Sequence, residues 1–118
     1  MPNREEQVEA LRTLLQFNRK LTDNMGILEK ELTTSRKPDT DQYLKSILDA
    51  INWEISVVGS TLPVLNEGKE RVNKAQFNEK ILDFNKAVQE KNEMRMATTL
   101  HFLKDEFVTI GKAALEVV

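Results

Sequence analysis

The chain has no cysteine, so neither a disulfide framework nor a thiolate metal site can form in it. Its single histidine, His101, is too few for a His₃ or His₂Glu zinc centre. Di-iron bundles need two Glu-x-x-His motifs, and the residue three before His101 is Thr98. Four glycines and three prolines leave little punctuation for hairpins, which argues against an all-β fold. No window approaches the ~18 apolar residues that span a bilayer, and the opening MPNREEQVEA has no apolar run behind a basic start. An excess of positive charge is missing too. The 17 basic and 19 acidic side chains are interleaved and sum to −2, leaving no basic stripe to neutralise a phosphate backbone. Neither a G-x-S-x-G nucleophile elbow nor a G-x-x-x-x-G-K phosphate loop is present. These absences lead to the expectation of a cytoplasmic, non-enzymatic protein with no metal, no cofactor, no nucleic-acid partner and no membrane span.

What is present is helical periodicity. At 118 residues the chain is expected to form one domain over 1–118, and 40% hydrophobic with 31% charged residues suits slender helices with one buried stripe each. The most continuously apolar stretch runs from Tyr43 to Leu65. Leu44, Leu48, Ile51, Ile55, Val58, Leu62 and Leu65 alternate in steps of four and three, the spacing of a bundle seam. An earlier helix is expected to start at a capping box of Asn3 and Glu6, and to carry Val8, Leu11, Leu14, Asn18, Leu21, Met25, Leu28 and Leu32 to about Thr33. The seam keeps phase across Gly26, so that helix should be unbroken. Asn18 either fixes register by pairing across the bundle or sits at the stripe's edge in water, and the edge is the expectation.

Thr33 to Asp39 reads as a loop, with Asp39 and Gln42 as the next capping box. Pro63 predicts a kink between Gly59 and Pro63, and Gly68 a helix end. Asn73 with Gln76 opens a third helix with the stripe Phe77, Ile81, Phe84 and Val88. The seam then resumes one residue late at Met96, before Leu100, Leu103, Phe107, Ile110, Ala114 and Val117. A slip of about 100° cannot be absorbed by a straight helix, so a break at Glu90 to Asn92 is predicted, with Asn92 as the new cap. Short connections between long helices predict an all-α, antiparallel up-down-up-down four-helix bundle with a kinked second helix. Leu48, Ile51, Ile55, Leu100, Leu103 and Phe107 are its expected central core, with Met94, Met96, Phe77, Phe84 and Phe102 as filler. In size, acidity and helical content the chain resembles the small export chaperones of bacterial flagellar systems, which implies an adaptor or chaperone-like role.

Chemistry-bearing residues are few. His101 and Asp105 share a helix face at a spacing of four. Glu54 lies beside Ile51, Ile55 and Val58, and is expected to leave the seam's edge for solvent or a lysine. A small ligand site in the core near Glu54 and His101 is the alternative to an interaction protein. A second apolar set, Ala50, Trp53, Val57 and Val64, lies on the other side of the second helix, with Trp53 about 200° around from Ile51. One core cannot cover both faces. This set is therefore the expected partner-binding surface, in a homodimer above all, because tryptophan is enriched at binding hot spots and symmetric dimers are the commonest soluble oligomers.

Overall fold

A computed structural model describes residues 2–34 and 36–118, and among them there are four helices and no strand. They are α1 (Arg4–Thr33), α2 (Thr40–Leu65), α3 (Lys74–Gln89) and α4 (Glu93–Val117), packed into a helical bundle. The ends follow local chemistry. Asn3 Oδ1 accepts the Glu6 N–H at 2.8 Å while Glu6 Oε1 accepts the Asn3 N–H, closing the expected capping box. Asn73 and Asn92 cap α3 and α4 by accepting the N–H groups of Gln76 and Arg95.

The predicted break between α3 and α4 is a Schellman turn. Lys91 takes φ 53°, its N–H donates to the Val88 carbonyl, and the Asn92 N–H donates to Ala87. The α2–α3 connection is clasped by Asn66. Its Oδ1 accepts the N–H groups of Arg71 and Val72 and its Nδ2 donates to the Val72 carbonyl, which holds Val72 in the core. Gly68 adopts φ 81° two residues beyond Asn66, the helix's C-cap.

Two expectations about local structure change. Asp39 makes no side-chain cap bond to α2. Thr40, the helix's first residue, closes the corner instead: its hydroxyl accepts the Lys37 N–H and donates to the buried carboxylate of Glu31. Pro63 lies inside α2, as its place in the second helix implied. Met94 and Phe102 are exposed rather than core, whereas Met96, Phe77, Phe84 and Phe107 are buried. Lys80 Nζ sits 5.2 Å from the Phe102 ring centre, which gives that surface ring a cation for company.

The larger correction concerns α2. Its buried line is Ile47, Ile51, Glu54, Val58, Thr61 and Leu65, while Leu44, Leu48, Ile55 and Leu62 are half-buried at the flank of the core. Both lines obey the same four-and-three spacing and share three residues, so apolar periodicity alone does not choose between them. Thr61 tolerates burial because its hydroxyl donates to the Val57 carbonyl at 2.7 Å, a bond available within any helix. The rotation turns α2 so that Glu54 faces α1 and α4. At the backbone α1 lies against α2 and α4, and α3 against α4, whereas α2 and α3 do not approach each other closely.

Candidate functional site

Asn18, in the middle of α1, lies on the buried stripe and is only 7% exposed. Its Nδ2 donates to Glu54 Oε1 of α2 at 3.2 Å and to the Phe107 carbonyl of α4 at 3.1 Å. One amide therefore ties three helices, and the expectation that Asn18 sits in water at the stripe's edge is overturned. Room for it comes from Gly111, one turn beyond Phe107 on α4: a Cβ there would stand 2.5 Å from Asn18 Oδ1. A glycine inside a helix costs stability, and here the missing methyl is what admits the amide.

Glu54 is 1% exposed, so the expectation that it leaves for solvent is overturned as well. Of its two oxygens, Oε1 is held by Asn18 and Oε2 has no partner among the described residues. A carboxylate needs several donors to remain charged out of water, and one neutral amide is too few. Burial accordingly pushes the carboxyl up to about 7, with the Asn18 hydrogen bond pulling weakly the other way.

Glu54 also lines a cleft between α1 and α2 with a volume of about 220 Å³. Phe17, Leu21 and Asn24 form its α1 side, and Tyr43, Ile47, Ala50 and Trp53 its α2 side. Trp53 and Phe17 meet edge to face, with ring centres 6.0 Å apart and planes at 89°. Both remain open to solvent, at 41% and 52%. At the far end the Tyr43 hydroxyl donates to Asn24 Oδ1 at 2.8 Å, and burial together with the nearby Glu31 charge raises its proton affinity.

The second apolar set of α2 is thus divided. Trp53 is exposed, Ala50 and Val57 are half-buried, and Val64 is 2% exposed and belongs to the core, so Val64 is removed from the partner-binding surface. Phe17, which supplies the other half of the aromatic ridge, had no signal of its own in the sequence. Its nearness to Trp53 depends on how α1 and α2 are paired.

His101 does not join Glu54. It stands exposed on the α1–α4 side, with Nδ1 3.2 Å from Glu29 and Nε2 4.0 Å from Asp105. Lys104 comes within 3.8 Å of the same Glu29. The two residues line different grooves, which removes the idea of one core site near both. Among the described residues no three His, Asp or Glu side chains converge on a point where a metal ion would sit, and no helix is long and apolar enough to cross a membrane. No curated protein and no solved structure matches the chain. A family profile described as a domain of unknown function, DUF8042, matches residues 9–107, and the chain belongs to that family.

Proposed function

We propose that the protein is a non-enzymatic interaction module, adaptor or chaperone-like, whose helices in up-down-up-down order present the Phe17–Trp53 ridge to a protein partner. The observation that carries this reading is the exposure of two large aromatic rings that meet edge to face at the surface. Isolated apolar residues at a surface are ordinary. A paired aromatic ridge beside half-buried Ala50 and Val57 is a contiguous patch of the kind that marks contacts. A second copy of the chain is the partner most available in pure protein, and a two-fold contact would set Phe17 of each copy against Trp53 of the other.

Light scattering at micromolar concentration is the test. The expected result is a dimer for the wild type and a folded monomer for Trp53→Glu. A monomeric wild type removes the self-contact, and a Trp53→Glu protein that stays dimeric removes Trp53 from it.

A further inference from the structure

We infer that the groove between α1 and α4 is a docking site for an acidic amphipathic helix of a partner protein, whose apolar face lies along Leu15, Ile27, Val108 and Leu115. The inference goes beyond the proposed ridge and does not rest on it, since Phe17 lines the other cleft of α1, against α2. Two hollows of about 530 and about 430 Å³ share Thr22, Asp23 and Val108, so they form one continuous groove. Its α1 wall runs from Leu15 to Lys30 and its α4 wall from His101 to Leu115, a length of about 20 Å or about four helical turns. Ile27, Val108 and Leu115 are exposed on these walls and Leu15 is half-buried, an apolar strip of the kind that marks contacts. Gly26 keeps the groove open, for a Cβ there would meet nothing beyond its own helix closer than Lys104 Nζ at 3.8 Å.

The charge of the rim chooses the occupant. The chain as a whole carries −2, yet Arg19, Lys30, Lys104 and Lys112 line this groove against only Asp23 and Glu29. Glu29 is already engaged from the α4 wall, by His101 at 3.2 Å and Lys104 at 3.8 Å. Arg19, Lys30 and Lys112 are exposed and, among the described residues, take part in no ion pair. A helix with leucine-like residues on one face and Glu or Asp beside them would cover the apolar strip and meet those three cations together. A second copy of this chain fits poorly. Its own helices have turned their main apolar faces into the core, and a two-fold contact of groove on groove would set cation against cation. A flat anionic membrane would touch the rim and leave the floor empty.

Peptides of about 16 residues, long enough to span the groove as a helix, test this. One carries leucines at i, i+3, i+4 and i+7 flanked by glutamates, one has lysines in place of the glutamates, and one is acidic with its leucines out of register. Each is titrated into isotope-labelled protein and read by backbone amide shifts in NMR, whose dispersion also reports the fold of every variant. The expected result is saturable binding of the first peptide at least about tenfold tighter than of either other, with shifts along both walls. Arg19→Glu, Lys30→Glu and Lys112→Glu together should reverse the preference toward the lysine peptide. Gly26→Leu, which fills the groove without changing its charge, should weaken binding of the acidic peptide at least about tenfold. Trp53→Glu should bind that peptide as the wild type does, so failure of the ridge and failure of the groove are read apart. No saturable shift, shifts centred on Phe17 and Trp53, loss of binding in Trp53→Glu, a preference that survives the charge swap, undiminished binding in Gly26→Leu, or adsorption to phosphatidylserine vesicles in place of the peptide would overturn the inference.

Discussion

Replacing Glu54 by glutamine tests the energetic core of this structure. In the folded protein the carboxyl titrates near about 7, against 4.5 for an unburied glutamate. Between those two values the native state holds a proton that the unfolded chain has released. Stability therefore falls as pH rises through that window and levels off above it. At about 1.4 kcal/mol for each pH unit between the two values, the total is about 3 kcal/mol, a large share of the 5–15 kcal/mol typical of a domain. Glutamine keeps an oxygen for Asn18 and has no proton to lose. Urea unfolding followed by circular dichroism at about pH 5 and about pH 8 should show the wild type losing about 2–3 kcal/mol more than Glu54→Gln over that interval. The other carboxylates are common to both proteins and cancel in the difference. An offset at the lower pH reports only how well the amide fits. Identical pH slopes for the two proteins would refute the claim that Glu54 is buried without adequate partners.

Two further outcomes rest on backbone positions. Gly111→Ala should destabilise the protein by about 1–3 kcal/mol because its methyl meets Asn18 Oδ1, and in an Asn18→Ala background the same change should instead stabilise by about 0.5–1 kcal/mol; chemical denaturation across this double-mutant cycle reads the sign reversal. Lys91→Gly should stabilise by about 0.5–1 kcal/mol, since glycine holds the left-handed conformation of the α3–α4 turn without strain, and an unchanged or lower melting temperature would contradict that account.

Much of the fold was legible because its signals are local. The caps at Asn3, Asn73 and Asn92 depend on residues three apart, and the one-residue phase slip before Met96 marks a real turn. The rotation of α2 was not legible, because Leu48 and Ile47 offer equally good stripes and the choice lies with α1 and α4. Glu54 and Asn18 were misplaced for a related reason. A polar residue on an apolar stripe is ordinarily sent outward, and here each is buried because the other stands opposite it, 36 positions away in sequence. Gly111 reads as a weak point in a helix until the residue it accommodates is known.

The wide spacing of α2 and α3 has a thermodynamic meaning of its own. Where backbones come close, detaching a helix breaks many contacts at once, and α3 has such a neighbour on one side alone. The shortest helix, α3, approaches only α4 at the backbone, where the rings of Phe77 and Phe107 meet edge to face at 5.6 Å. Its tethers at both ends are self-contained turns, the Asn66 clasp and the Schellman turn at Lys91, and neither needs α3 to be docked. Native-state hydrogen exchange is therefore expected to show α3 opening before α1, α2 and α4.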